Sequence, residues 1–153
     1  MSQPKEPSEQ AYVVAATLLT LSPAFTRFLL TELRSLPPSE RITPPQLRAL
    51  ELIIADSGIS LAAFAEGMGV RKPTASILVM RLTGMGLVRK AAGERRTTVL
   101  MPTDRGLSLF QTIVRRLVER LAHAVEDEQV TTLLRALPDI SRIFDRARLL
   151  QQD

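Results

Sequence analysis

The sequence predicts a mainly α-helical protein of the α+β class, in which one short β-hairpin interrupts a series of helices. Apolar residues recur at three- and four-residue steps over most of the chain, which is the spacing of one helix face. Two β-prone runs, 87–90 and 97–101, depart from that period and enclose a Gly-containing link. The chain has 153 residues, 45% of them apolar, which is the size of one ordinary domain with a core.

The first predicted element is an amphipathic helix from Ser8 to Leu36. Pro23 is expected to kink or restart this helix, because proline lacks the amide that a helix interior needs. The run Leu-Pro-Pro-Ser at 36–39 ends the helix. Its apolar positions are Ala11, Val14, Ala15, Leu18, Leu21, Phe25, Phe28, Leu29 and Leu33.

A second helix is predicted to begin after Thr43, whose side chain can cap the exposed amides while Gln46 reaches back to it. Pro44 suits the first turn because its fixed φ is already helical. Asp-Ser-Gly at 56–58 is expected to stop the helix. Its inward face is predicted to consist of Leu47, Leu50 and Ile54.

Two helices with glycines at their ends follow. Ser60 can cap a short helix that runs through about Met68, and Gly69 supplies the turn into a helix over residues 72–85, which Gly86 ends. The inward residues of the short helix are predicted to be Leu61, Phe64, Ala65 and Met68. Those of the longer helix are Ala75, Leu78, Leu82 and Met85, and its outward face shows Arg71, Lys72, Thr74, Ser76, Ile77 and Arg81.

The remaining elements are the hairpin and two amphipathic helices. The two β-prone runs flank a basic tip, and Pro102 ends the second strand. Helices are predicted from Asp104 to about Val125 and from near Asp127 onward, with a bend at Pro138.

Positive charge is concentrated in the middle of the chain. Residues 71–96 contain seven basic residues and one acidic residue, a net charge of +6, whereas the rest of the chain carries −2. Such a block is typical of a face that binds a polyanion, although a solvated basic surface has the same composition. The basic residues are Arg71, Lys72, Arg81, Arg89, Lys90, Arg95 and Arg96, and the acidic one is Glu94.

The order of the central elements favours binding to DNA. A short helix, a glycine turn, an amphipathic helix and a basic hairpin make a helix-turn-helix followed by a wing. A helix fits the major groove, its N-terminal amides attract phosphate, and a basic wing can enter the neighbouring minor groove. The side chains that suit these contacts are Arg71, Lys72, Thr74, Ser76, Arg81, Arg95 and Arg96.

The helices at the two ends carry wide apolar stripes that the central lobe is too small to cover. Two copies that pack these helices together would bury the stripes and hold two DNA-reading helices about 34 Å apart. Closure into an intramolecular bundle is the alternative. The sequence therefore predicts an N-terminal dimerisation helix (1–40), a winged helix-turn-helix lobe (41–102) and C-terminal dimerisation helices (103–153).

The sequence lacks the residues that several classes of protein function require. The absence of cysteine excludes disulfide scaffolds, thiolate zinc sites and thiol-based redox sensing, and His123 is the only histidine. No paired catalytic carboxylates, nucleophile elbow or Gly-rich phosphate loop occurs, so no enzyme, cofactor or metal site is expected. Neither a secretory signal nor a membrane-spanning helix is expected, which predicts a cytoplasmic protein without a membrane partner.

Several stretches of the chain follow one known pattern in order and spacing. They are 42–50 (ITPPQLRAL), 61–70 (LAAFAEGMGV), 71–76 (RKPTAS), 81–82 (RL), 86–88 (GLV) and 102–106 (PTDRG), with Glu94-Arg95-Arg96 in the predicted wing. Together they strongly resemble the MarR family of bacterial transcription regulators, whose wing has Asp where this chain has Glu94. The resemblance covers residues 42–106 in motif detail and the flanking helices in pattern only.

The resemblance implies a homodimeric DNA-binding regulator, more often a repressor, whose terminal helices intertwine. Its two recognition helices would enter successive major grooves of a near-palindromic operator, while Glu94 orients Arg96 and the wing arginines contact the minor groove. Many such proteins release DNA when a small, often aromatic or phenolic, ligand binds. The implied DNA-binding residues are Arg71, Lys72, Pro73, Thr74, Ser76, Ile77, Arg81, Arg89, Lys90, Glu94, Arg95 and Arg96.

Three features depart from the family pattern. The wing tip is shorter than usual. Arg71 stands where a Ser or Thr cap is common, and Ile77 stands where the family often has a polar or basic reader, so Ile77 would contact thymine methyl groups. The other function that the residues allow is a winged-helix module that binds an acidic protein partner.

Overall fold

The computed structural model of this protein describes residues 8–93 and 97–149, and it confirms a mainly α-helical chain with a small antiparallel sheet. The helices are α1 (Glu9–Arg34), α2 (Pro44–Ala55), α3 (Leu61–Met68), α4 (Lys72–Gly84), α5 (Asp104–Ala122) and α6 (Asp127–Leu149), with one 3₁₀ turn at Pro38–Glu40. The strands are β1 (Ile59–Ser60), β2 (Val88–Ala92) and β3 (Thr98–Pro102). The chain divides into two compact units, one up to Arg115 and one from Arg116 onward.

α1 runs unbroken past Pro23, so the expected restart of the helix at that residue is wrong. Ser8 caps the helix, because its Oγ accepts a hydrogen bond from Ala11 N at 3.2 Å. Proline removes one backbone hydrogen bond, whereas the helix continues for more than two turns on either side of Pro23. The bonds of those turns outweigh the one that is lost. α6 likewise continues past Pro138.

Most of α1 is exposed, and its composition is strongly apolar. Over an 18-residue window its mean hydropathy is 1.6, which by length and composition alone is enough to cross a membrane. The expectation of no membrane-spanning helix overlooked this segment, in which residues 10–26 contain no charged side chain. Helices at the interfaces of soluble proteins have similar composition, and an exposed apolar patch of this kind marks an interaction site. Its large exposed side chains are Tyr12, Val13, Val14, Leu19, Leu21 and Phe25.

α2 begins with the predicted capping box. Thr43 Oγ1 accepts from Gln46 N at 3.4 Å, and Gln46 Oε1 accepts from Thr43 N at 2.8 Å. The buried face of α2 is wider than predicted, because both α3 and α4 pack against this helix. Leu47 and Ile54 are only half-buried. The buried positions of α2 are Gln46, Ala49, Leu50 and Ile53.

Replacing Thr43 with alanine is expected to lower the free energy of unfolding by about 1 kcal/mol, because an amide at the start of α2 loses its acceptor. Thr43→Ser keeps the hydroxyl and serves as the matched control. Urea unfolding of the two variants measures the difference. Equal midpoints for the alanine and serine variants would contradict a stabilising role for the cap.

The caps of α3 and the turn into α4 also follow the sequence. Ser60 Oγ accepts from Ala63 N at 3.2 Å, and Gly69 ends α3 in the left-handed conformation with φ at 66°. Leu61 and Met68 are half-buried rather than inward, because they lie at the two ends of this short helix. The largest fully buried side chains of the core are Leu50, Ile53, Phe64, Val79, Leu82, Leu87, Val88, Leu100 and Ile113.

The predicted hairpin forms, with β2 and β3 paired antiparallel and Ala92 opposite Thr98 at its outer end. β1 adds a third strand at the other edge of β3, where Ile59 lies opposite Leu100. This third strand was not predicted from the sequence. A strand of two residues has no alternating pattern, and its pairing depends on a partner far away in the sequence.

The start of α5 is fixed against the segment that joins α4 to β2. Thr103 Oγ1 donates to Gly86 O at 2.7 Å and accepts from Gly106 N at 3.0 Å. Gly106 is buried, and a β-carbon at this position would lie 2.1 Å from Leu87 O. The absence of a side chain at residue 106 thus permits the close approach of two backbone segments.

Beyond its first half, α5 keeps apolar side chains exposed, and so does α6. Leu109 and Ile113 are buried in the first unit, whereas the next apolar positions along α5 are open to solvent. The exposed positions from Val114 to Leu121 and from Val130 to Leu137 have the spacing of one helix face, as the predicted stripes require. The exposed apolar side chains are Val114, Val118 and Leu121 in α5, and Val130, Leu133, Leu134, Leu137 and Ile143 in α6.

Candidate nucleic-acid interface

One face of α4 is buried in the core, and the opposite face is exposed. The buried positions are Ala75, Leu78, Val79 and Leu82. This confirms the predicted stripe at three of its four members, since Met85 lies just beyond the helix and is half-buried. The structure places the following predicted DNA-binding residues on the exposed side of α4 or at its cap: Arg71, Lys72, Pro73, Thr74, Ser76, Ile77 and Arg81.

The N-terminus of α4 is suited to an anion. Arg71 occupies the N-cap position with extended backbone angles, and its side chain makes no capping hydrogen bond. The first amides of a helix lack intrahelical acceptors and form the positive end of the helix dipole. Arg71 and Lys72 are exposed at this end, and no acidic residue occurs from 71 to 93. This end of α4 therefore has the chemistry of a phosphate site.

The exposed face of α4 also carries two large apolar side chains. Ile77 is 47% exposed and Met80 is 62% exposed. Met80 was not among the predicted contact residues, although its position three residues after Ile77 places both side chains on the same helix face. The spacing of three residues from Ile77 is the sequence signal that could have identified Met80.

The hairpin extends from the end of α4 as the predicted wing. Leu87 N donates to Leu82 O at 2.9 Å, so β2 follows α4 after a tight turn. Arg89 and Lys90 are exposed on β2. The predicted tip residues Glu94, Arg95 and Arg96 lie outside the described residues.

A pocket of about 240 Å³ lies between the end of α1 and the start of α2. Its lining combines apolar side chains with two arginines, both of which are exposed. The lining residues are Leu30, Leu33, Arg34, Arg41, Ile42, Thr43 and Pro44. Within residues 8–93 and 97–149, no group of three or more metal-ligating side chains comes together.

The central lobe matches a known family in sequence as well as in geometry. The model of the MarR family matches residues 42–96, which include α2, β1, α3, α4 and β2. Over this segment the chain is similar to the MarR family. Among curated proteins, none matches this chain.

Solved structures share the MarR-family fold with this chain over most of its length. RV1404 from Mycobacterium tuberculosis superposes with a TM-score of 0.75 at 24% identity, covering 91% of this chain and 97% of that one. The transcriptional repressor CouR, solved bound to a 23-mer DNA duplex, gives 0.67 at 23% identity, covering 92% and 99%. NadR, solved in complex with 4-hydroxyphenylacetate, gives 0.65 at 19% identity, covering 94% and 99%.

Proposed function

We propose that this chain is a MarR-family, sequence-specific DNA-binding transcription regulator that acts in the cytoplasm as a homodimeric repressor. The observation that carries the proposal is the exposed face of α4, whose N-terminus holds Arg71 and Lys72 with no acidic residue up to position 93. A surface of this kind attracts a polyanion, and a helix is the element that fits the major groove. The DNA-bound structure of CouR, which has the same fold, supports the choice of duplex DNA.

In this proposal each part of the lobe has a separate contact with the duplex. The N-terminus of α4 binds a phosphate with its amides and with Arg71 and Lys72, while the exposed face of the helix meets base edges. Arg89 and Lys90 hold the wing against the backbone. Arg95 and Arg96, with Glu94 as the orienting carboxylate of Arg96, reach the minor groove.

In this proposal the terminal helices join two chains, so that the dimer presents two copies of α4. α1 and α6 expose large apolar side chains that a second chain would cover, and a twofold interface presents the same patch from both partners. We assign the apolar faces of residues 1–40 and 103–153 to this interface and residues 41–102 to the DNA-binding lobe. Arg135 and Arg142 lie on the other side of α6 from its exposed run of Val130 to Leu137 and thus outside the interface. The two copies of α4 then meet half-sites about 34 Å apart on one face of the duplex.

A small effector fits the pocket between α1 and α2. Its apolar walls suit a small hydrophobic ring, and Arg34 and Arg41 suit a carboxylate or phenolate. NadR, which has the same fold, is solved with 4-hydroxyphenylacetate, a compound with both groups. Because this pocket joins the proposed dimerisation helix to the lobe, a ligand there would shift the spacing of the two copies of α4.

Removing the positive charge at the start of α4 tests the proposed function. In the Arg71→Ala/Lys72→Ala variant, we expect affinity for a duplex enriched by the parent from genomic fragments to fall about 10- to 100-fold. The slope of log affinity against log salt should flatten by about two units, one for each phosphate contact. Fluorescence anisotropy from low to physiological salt measures both quantities.

A matched control separates local contact from net charge. Arg135→Ala/Arg142→Ala removes the same two charges from exposed positions on α6 and is expected to keep both the affinity and the salt slope. Equal behaviour of the two double variants would refute a DNA contact at the start of α4. If the parent enriches no genomic fragment at all, the proposed function itself fails.

A further inference from the structure

The part of α4 that points directly away from the core has no hydrogen-bonding side chain. Successive residues of an α-helix are rotated by about 100° around its axis. On this basis, four exposed positions of α4 lie within about 30° of the direction opposite its buried face. Thr74 and Arg81 lie roughly 70–90° to one side of this line, and Ser76 lies a similar angle to the other side. The four positions, which we call the α4 crest, are Pro73, Ile77, Met80 and Gly84.

The middle of the crest consists of two apolar side chains, and the residues at its two ends project little from the helix. Ile77 and Met80 are neighbours at a spacing of three residues, and both are exposed. Gly84 has no side chain, and no atom lies within 4 Å of where its β-carbon would be. The helix can therefore approach a surface closely, with the isoleucine and the methionine as its deepest contacts.

The floor of the major groove offers one apolar group to such a crest. Guanine, adenine and cytosine present only hydrogen-bond donors and acceptors there, whereas thymine adds its C5-methyl group. An apolar side chain over a guanine or cytosine edge would remove water from polar atoms without replacing their hydrogen bonds. The flanking Thr74, Ser76 and Arg81 can serve neighbouring bases and phosphates, but the crest favours methyl groups.

We infer that Ile77 and Met80 determine operator specificity by contacting the C5-methyl groups of thymines near the centre of each half-site. This inference rests on the proposed DNA-binding function and adds to it the base that α4 selects and the side chains that select it. Discrimination then comes from apolar contact, with the charged residues providing affinity that depends little on sequence.

Replacing thymine by deoxyuracil tests the inference, because the exchange removes only the C5-methyl group and keeps base pairing. The probe is the duplex that the full-length chain enriches most strongly from a random library. We expect one or two thymines in each half-site at which deoxyuracil weakens binding about four-fold, the value of one buried methyl group. Deoxyuracil in place of thymines outside the half-sites should leave the affinity unchanged.

Protein variants show whether the crest is responsible. In Ile77→Ala/Met80→Ala, whose altered side chains are exposed in the parent, deoxyuracil at the sensitive positions should no longer change affinity. Ser76→Ala is the control, and it should keep the four-fold sensitivity whatever its own affinity. The salt slope should be the same in the parent and both variants, and circular dichroism confirms that they fold.

The outcomes distinguish this inference from the proposed function. An enriched, salt-dependent duplex that is insensitive to deoxyuracil throughout would overturn the methyl contacts and leave DNA binding intact. Unchanged sensitivity in Ile77→Ala/Met80→Ala would overturn the assignment to the crest. Failure to enrich any duplex, together with a protein partner that the double variant loses, would overturn both.

Discussion

Gly106→Ala is expected to lower the free energy of unfolding by about 3–5 kcal/mol, a large share of the stability of an ordinary domain. The new β-carbon would lie 2.1 Å from Leu87 O and 3.3 Å from Leu50 Cδ1. The first of these contacts is far inside the normal separation of carbon and oxygen, so one backbone segment must move. The cost is high because neither segment can move without breaking hydrogen bonds.

Both segments at this contact are held on two sides. Leu87 N donates to Leu82 O at 2.9 Å, and Leu87 O accepts from Thr103 N at 3.0 Å. On the other segment, Gly106 N donates to Thr103 Oγ1 at 3.0 Å. A shift at residue 106 would therefore disturb the end of α4, the start of β2 and the first turn of α5 together.

Gly84→Ala is the matched control for this glycine. Its β-carbon would have no atom within 4 Å, and its φ is not positive, so stability should be unchanged or raised by up to about 1 kcal/mol. Urea unfolding followed by circular dichroism measures both variants. A loss of less than about 1 kcal/mol in Gly106→Ala would show that the two segments separate easily.

The parts of the fold that the sequence predicts well are those with local causes. The capping box of Thr43 and Gln46 lies within four residues, and the turn at Gly69 depends on the conformational freedom of one glycine. The exposed and buried faces of α4 follow from the helical period alone. These features need no knowledge of the rest of the chain.

The errors have several causes. β1 forms because Ile59 pairs with Leu100, which lies 41 residues later in the sequence, and two residues carry no pattern of their own. The passage of α1 through Pro23 reflects the summed hydrogen bonds of a long helix, whereas the prediction considered only the proline. At the candidate site, Ile77 was predicted as an apolar contact but Met80 was not, although a spacing of three residues places both on one helix face.

If the proposed homodimer packs through α1, Leu21→Glu/Phe25→Glu is expected to convert it into a monomer. The two residues are 57% and 63% exposed on α1, and their spacing of four places them on one face. If a second chain covers this face, the dimer would bury two glutamates per protomer without partners. Each buried, unpaired carboxylate costs several kcal/mol. Sedimentation velocity of parent and variant measures the change.

Loss of the dimer should also abolish tight operator binding. Two reading helices held by one dimer bind the second half-site as an intramolecular event, so a monomer is expected to lose at least about 100-fold in affinity. Ala55→Glu/Ser57→Glu adds the same charge to two exposed positions outside the proposed interface and should remain dimeric. The double variant on α1 should keep the circular dichroism of a helical protein, because the altered side chains do not belong to the core.

The exposed face of α1 has two possible partners, a second chain and a lipid bilayer, because this helix is long and apolar enough to cross a membrane. The dimer requires the parent to sediment at twice the chain mass of 16.9 kDa and to stay in solution when mixed with lipid vesicles. A parent that is monomeric and co-sediments with vesicles, with binding lost in Leu21→Glu/Phe25→Glu, would assign the exposed face of α1 to a membrane. A variant that remains dimeric and binds its operator as tightly as the parent would show that the interface lies elsewhere.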